Sequence, residues 1–241
     1  MTHKKIWFSV KFLLFLLVLC LIAAAFSFAA KNLGTPDYPV QNEPQKKAFT
    51  VVLDAGHGGE DGGAVSASGI YEKDLNLRVA MLVREFLEAN GVTVVMTRET
   101  DTLLYDRNVD YHGRKKALDH AERLRIGTET EDSIFVSIHM NAYPQTQYHG
   151  LQVWYSPNHA HSQKIAETIQ STVKEHLQPE NTRRVKAATS SIYLLHHLNT
   201  PAVLIECGFL SNPEEAARLA DDEYQRELAF LIFLAIMQAE A

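Results

Sequence analysis

His57 sits inside Leu53-Asp54-Ala55-Gly56-His57-Gly58-Gly59-Glu60-Asp61-Gly62-Gly63, a glycine-rich loop after the β-rich run Phe49-Thr50-Val51-Val52-Leu53. Such a loop can cradle phosphate, and Gly56-x-Gly58-x-x-x-Gly62 loosely matches a dinucleotide fingerprint. Asp54, Glu60 and Asp61 would repel a pyrophosphate, however, and no Lys-Ser/Thr pair follows. Glycines serve equally to turn a backbone tightly so that a side chain reaches a buried ion. A second histidine ends another apolar run, Ile134-Phe135-Val136-Ser137-Ile138-His139-Met140-Asn141. Glu206 ends a third, Ala202-Val203-Leu204-Ile205-Glu206, and Glu72 opens a helical stretch just after the loop. Two neutral imidazoles and one carboxylate are a recurrent catalytic zinc set, with the fourth position open for a water whose pKa falls to about 7. A second carboxylate then takes the water's proton and passes it to a leaving amine. Glu72, at the positive end of a helix, is suited to stay ionised as a ligand. Glu206, at a buried strand end, is suited to acid–base work because desolvation raises its pKa. Taken alone, a strand-end histidine reads first as a hydrogen-bonded structural residue, and Glu72 reads as a helix-start carboxylate. Their common place at strand and helix ends favours a metal hydrolase.

The elements that must position these four alternate between strand and helix. Strands are predicted at Phe49–Leu53, Val92–Thr97, Ser133–Ile138, Leu151–Tyr155 and Ala202–Ile205. Helices are predicted at Leu75–Ala89, Gly113–Ile126 and His159–Leu177, followed by a C-terminal pair. The pair begins at Ser211-Asn212-Pro213-Glu214-Glu215, which offers a cap, a first-turn proline and acidic residues at the positive helix end. The last helix carries Phe230 to Met237, apolar all round, and is read as core rather than as a membrane span. This alternation implies an α/β fold with a largely parallel sheet and helices on both faces. Ligands in such folds bind beyond the C-terminal ends of the strands, where His57, His139 and Glu206 are delivered.

The 241 residues suit one good-sized domain, and the net charge of −6 excludes a general nucleic-acid binder. The N-terminus differs in character. Met1 to Lys5 is basic and Phe12–Ala30 almost wholly apolar, about long enough to span a bilayer, so residues 1–30 read as a membrane anchor or signal segment. Ser27-Phe28-Ala29 offers a cleavage site, so anchor and cleaved signal both remain open. Residues 31–47, with Pro36, Pro39 and Pro44, read as a flexible linker leading to a domain at 48–241. Of the two cysteines, Cys20 lies in the apolar segment and Cys207 in a core run, so no disulfide is expected and Cys207 reads as a buried thiol.

Four motifs in order, Val51 to Gly59, Glu72-Lys73-Asp74, Val136 to Ala142 and Pro201 to Pro213, resemble the zinc-dependent N-acetylmuramoyl-L-alanine amidases. The resemblance implies a three-layer α/β/α sandwich of the phosphorylase/hydrolase-like kind. It also implies cleavage of the amide between the lactyl group of N-acetylmuramic acid and L-alanine of the peptidoglycan stem. One zinc would be bound at His57, Glu72 and His139, with Glu206 essential for catalysis. Met96-Thr97-Arg98-Glu99-Thr100-Asp101 and Glu180 to Arg184, with the short apolar N-terminus, resemble the germination-specific, spore-cortex subgroup. That implies an extracytoplasmic place in the forespore envelope, peptidoglycan as partner, and removal of stem peptides ahead of muramic-δ-lactam formation.

Cys207 and Met140 replace residues common in relatives by other apolar ones, without expected effect on the chemistry. Division-type relatives carry an inserted helix that plugs the zinc site. Only Asn181–Ser191 is available for one here, so any restraint on activity is expected to come from a protein partner or from timing of expression. Arg98 and Arg114 read either as binders of substrate carboxylates or as structural ion pairs, and Asn141 as a donor to the scissile carbonyl or a backbone brace. His196 and His197 read as surface or supporting residues, and His159 and His161 as the start of a helix. Two rival functions are an envelope zinc peptidase cutting within the stem and a non-catalytic wall-binding module.

Overall fold

Strand alternation decides which residues meet. β1 (Thr50–Ala55) turns Val51, Leu53 and Ala55 to one face of the sheet and Val52 and Asp54 to the other. β3 (Ser133–Asn141) does the same, with Ile134, Val136 and Ile138 on the first face and Phe135 on the second. β6 (Ala202–Phe209) places Val203, Ile205 and Cys207 on the first, and Ala202 and Leu204 on the second. By the same period Ser137, His139 and Glu206 follow Asp54 onto the second face. β2 (Thr93–Met96), β4 (Gln152–Tyr155) and β5 (Lys186–Ala187) complete a sheet of order β2-β1-β3-β6-β4-β5.

The pairs β1–β2, β1–β3 and β3–β6 are parallel, as expected from the alternating pattern. β4 is antiparallel to β6 and carries the two-residue β5 parallel to itself, so one edge of the sheet runs the other way. A strand of two residues has no hydrophobic period, so no sequence pattern predicts β5.

The computed structural model describes residues 16–28, 49–106, 108 and 112–240. The chain divides into two units, Met1–Lys46 and Lys47–Ala241. In the first, residues 16–28 are helical and expose Leu17, Leu21, Ile22 and Phe26. No helix among the described residues is long and apolar enough to cross a membrane. The rest of the expected anchor, and all of the linker at 31–47, lie outside the described residues.

In the second unit α1 (Glu72–Ala89), α3 (Ala160–His176), α5 (Pro213–Leu219) and α6 (Asp222–Ala239) cover the first face of the sheet. α2 (Lys115–Glu129) and α4 (Tyr193–His197) cover the second. This is the three-layer α/β/α sandwich. Leu75, Val79, Leu82, Val83 and Leu87 give α1 its buried stripe at helical spacing. Each such side chain, withdrawn from water, contributes roughly 1.5–3 kcal/mol. Asn212 caps α5 by accepting from the backbone N–H groups of Glu214 and Glu215, with Pro213 in the first turn. α6 is less enclosed than its sequence implies, since Phe230 and Leu234 remain 42% and 38% exposed. Between α3 and α4 the described residues contain only β5, with no inserted helix.

Candidate metal centre

At the C-terminal end of β1 the chain turns at Gly56, where a Cβ would stand 2.2 Å from His139 Cε1. Only glycine lets the His139 ring lie against this backbone. His57 follows in a left-handed conformation, φ 61°, which a non-glycine residue holds only under outside constraint. The constraint is visible: the His57 carbonyl accepts from Arg123 Nη2 at 2.7 Å. Gly63, at φ 66°, passes where a Cβ would fall 2.5 Å from Glu72 Oε2 and 2.8 Å from His57 Cδ2. The glycine-rich loop therefore makes room for imidazole and carboxylate.

Glu72 is the first residue of α1 and is 4% exposed. Its Oε1 lies 3.2 Å from His57 Nε2 and 2.9 Å from His139 Nδ1, while Oε2 accepts from Ala64 N at 2.8 Å. Burial alone would raise the Glu72 carboxyl, but the two imidazoles overcome it and hold it well below the usual carboxylate range. His57 is held above its ordinary value, because the carboxylates of Glu72 and Asp61 outweigh the effect of burial. One donor atom from each of His57, Glu72 and His139 lies within 4.8 Å of the others, a group able to hold a metal ion. Donors bound tetrahedrally at zinc distances stand about 3.3 Å apart, close to the two spacings between Glu72 Oε1 and the histidine nitrogens.

Glu206 stands directly across from His139 in the parallel β3–β6 register. Its Oε2 is buried and has no hydrogen-bond partner. Burial pushes its pKa up to about 7, with the Glu72 charge adding to the rise and the histidines opposing it. His57, His139 and Glu206 share a cavity of about 300 Å³ with Lys116, His120 and Tyr193.

The structure thus brings together all four residues singled out from the sequence. The other candidates fall elsewhere. Arg98 is 3% exposed, and its guanidinium donates to the carbonyls of Ala55, Gly56, Lys73 and Thr100. As a binder of substrate carboxylates Arg98 is therefore corrected: its fork clamps the loop that carries His57. Arg114 is exposed at the N-cap of α2 and does not line the cavity. Asn141 ends β3 beyond a register shift, and its carbonyl accepts from Leu210 N. His159 caps α3. Met140 and Cys207 are buried in the core of the opposite face, which keeps both side chains off the cavity.

Sequence reasoning missed the groups that support the cluster. Asp61 Oδ2 lies 2.9 Å from His57 Nδ1, at ion-pair distance though off the axis of a hydrogen bond. Asn76, one turn after Glu72, donates to Gly56 O at 3.1 Å and Glu72 Oε1 at 3.3 Å. Arg123 is 2% exposed and joins Asp54 Oδ1 at 2.5 Å, Asp119 Oδ2 at 2.8 Å and Ala55 O at 2.8 Å. Ser137 and Thr97 hydroxyls complete the Asp54 carboxylate. Burial would raise Asp54, but Arg123 and Ser137 bring it to about 2. The one available signal was the Asp119-x-x-x-Arg123 spacing, a helical i,i+4 pair.

A mostly parallel α/β/α sandwich thus carries, toward the C-terminal side of its central strands, a His–Glu–His group able to hold a metal ion and a buried carboxylate oxygen beside it. The chain matches the N-acetylmuramoyl-L-alanine amidase family over residues 51–238 and belongs to it. It is 40% identical over 188 residues to the germination-specific N-acetylmuramoyl-L-alanine amidase of Bacillus subtilis, covering 78% of each protein. Among solved structures it is similar to the CwlD amidase of Clostridioides difficile in complex with the GerS lipoprotein. That match has TM-score 0.75 and 39% identity, and covers 79% of this chain and 98% of that one. An N-acetylmuramoyl-L-alanine amidase from Clostridium difficile 630 matches with TM-score 0.68 and 31% identity, over 79% of this chain and 96% of that one.

Proposed function

We propose that this chain hydrolyses the amide between the lactyl group of N-acetylmuramic acid and L-alanine of the peptidoglycan stem, with one zinc ion held by His57, Glu72 and His139. The observation that carries this reading is the pairing of that donor group with the buried, unpartnered Oε2 of Glu206 in one cavity. Two imidazoles and one carboxylate suit zinc and leave a site with net positive charge. When bound, zinc supplies Lewis acidity toward the scissile carbonyl and makes water nucleophilic near neutral pH. Glu206 Oε2 takes the proton of the attacking water and returns it to the leaving nitrogen of L-alanine. A cation nearby lowers its pKa from about 7 and so favours the basic form. Asp61 Oδ2 lies 2.9 Å from the far nitrogen of His57, a close polar contact that supports the ring's position.

The 40% identity to a germination-specific amidase supports a role in spore-cortex maturation leading to muramic-δ-lactam. On this reading the enzyme works in the forespore envelope, outside the cytoplasm, with the apolar N-terminal segment as anchor or signal and 31–47 as tether. A protein partner belongs to the reading as well, because the Clostridioides difficile relative was solved in complex with a lipoprotein.

The test is incubation of the zinc-loaded protein with purified peptidoglycan, with and without chelator, and mass spectrometry of the products. Stem peptides beginning with L-alanine, absent after chelation, are expected. Fragments cut inside the stem would make the enzyme a peptidase instead.

A further inference from the structure

The cavity that holds the catalytic cluster extends over residues that hydrolysis itself does not use. Lys116 lies in the first turn of α2, and its side chain is 59% exposed. His120 follows one turn later on the same helical face. Its ring stacks on Tyr193 of α4, centroids 5.7 Å apart and planes 17° from parallel, and Tyr193 is 37% exposed. All three line the cavity beside His57, His139 and Glu206. Arg123, the other cation there, is closed off by Asp54, Asp119 and backbone carbonyls. Lys116 carries three N–H donors and pairs with Asp61 Oδ2 at 3.1 Å. His57 Nδ1 lies 2.9 Å from that same oxygen, so Asp61 is shared with the imidazole and the ammonium keeps N–H donors for an incoming anion.

Resting on the amidase reading, we propose that Lys116, beside the His120–Tyr193 wall, forms a carboxylate-binding subsite for the second residue of the stem peptide. It selects stems in which that residue keeps a free α-carboxylate. The links through Asp61 and the imidazole ring put Lys116 Nζ within about 8 Å of His57 Nε2, roughly the span of two extended residues. A glutamate that follows L-alanine and continues the stem through its γ-carboxyl presents its α-carboxylate at that distance from the scissile amide. The flat wall of imidazole and phenol accepts the short apolar part of the same residue. A single ammonium gives one charge-assisted contact, enough to separate acid from amide but not to fix a doubly charged ligand.

The experiment compares two muramoyl peptides, one with glutamate and one with isoglutamine at the second position, on the full-length protein and on Lys116→Gln. The readout is the ratio of kcat/KM between acid and amide. The wild-type protein is expected to prefer the acid about five-fold, mainly through KM, because the contact is partly solvent-screened. Lys116→Gln is expected to bring the ratio close to one, and Lys116→Arg to restore most of it. A wild-type ratio of one, or an unchanged ratio in Lys116→Gln with both substrates slowed alike, would overturn the subsite and assign Lys116 to orienting Asp61. Cleavage of these peptides at a bond other than the one before L-alanine would instead overturn the amidase reading, and the subsite with it.

Discussion

Two charged clusters meet at the C-terminal end of β1. Behind the strand end, Arg123 joins Asp54 and Asp119, while Arg98 clamps four carbonyls of the loop region. Asp54 receives hydrogen bonds from Ser137 and Thr97 as well. In front of it, His57, Glu72 and His139 crowd three donor atoms together, and Glu206 presents a buried oxygen with no partner. Both clusters are enclosed, but one has its charges matched and the other has acceptors in excess. Satisfied buried charge fixes geometry, whereas unsatisfied buried charge is retained where something else must bind or react. Arg123 links the two, since its hydrogen bond to the His57 carbonyl holds a donor residue in its left-handed conformation.

The comparison can be broken most forcefully at the front cluster. His139→Ala, or chelation, is expected to cut amide hydrolysis by on the order of a thousandfold, the several kcal/mol that a Lewis acid supplies. Release of peptides beginning with L-alanine measures it. Behind the strand, Arg123→Met leaves two buried carboxylates without their cation and is expected to destabilise the fold by about 3–5 kcal/mol. Urea denaturation checks this, and a loss below about 1 kcal/mol would erase the distinction between the clusters.

A pH-dependent effect separates the clusters further. In metal-free protein the Glu206 pKa is raised to about 7, so the folded state favours the protonated form. The stability linked to this proton is full below the unfolded carboxyl value near 4.5 and is lost as pH rises through 7. Glu206→Gln is therefore expected to stabilise metal-free protein by roughly 2–3 kcal/mol at pH 8 and by nothing measurable at pH 4. Asp54 has the opposite sign: its pKa is lowered to about 2, so its contribution is present above pH 4 and lost as pH falls through 2. The smallest effect is expected for Asp61→Asn, with metal affinity down about tenfold, read by competition with a calibrated chelator.

The front cluster was legible in the sequence because its residues stand where the pattern changes. His139 and Glu206 end apolar runs, His57 interrupts a glycine loop and Glu72 starts a helix. Strand period and register then make the meeting of His139 with Glu206 a geometric consequence. The rear cluster was not legible beyond the Asp119–Arg123 spacing, since the partners of Asp54, namely Arg123, Thr97 and Ser137, lie dozens of residues away from it. Arg98 shows why. A guanidinium binds a substrate carboxylate or a set of carbonyls with the same donors, and only burial distinguishes the two. The reversed sheet edge at β4 and β5 escaped for a similar reason, because strand direction is set by the connections and not by the pattern within the strand.

The most direct measurement determines zinc content and turnover on the same samples of wild-type, Glu206→Gln and Glu72→Gln protein. Glu206→Gln is expected to keep one zinc per chain while losing activity by about a hundredfold or more. Glu72→Gln is expected to lose the zinc itself. Near-normal turnover by Glu206→Gln, or full zinc occupancy in Glu72→Gln, would contradict the division of the cluster into three ligands and one base.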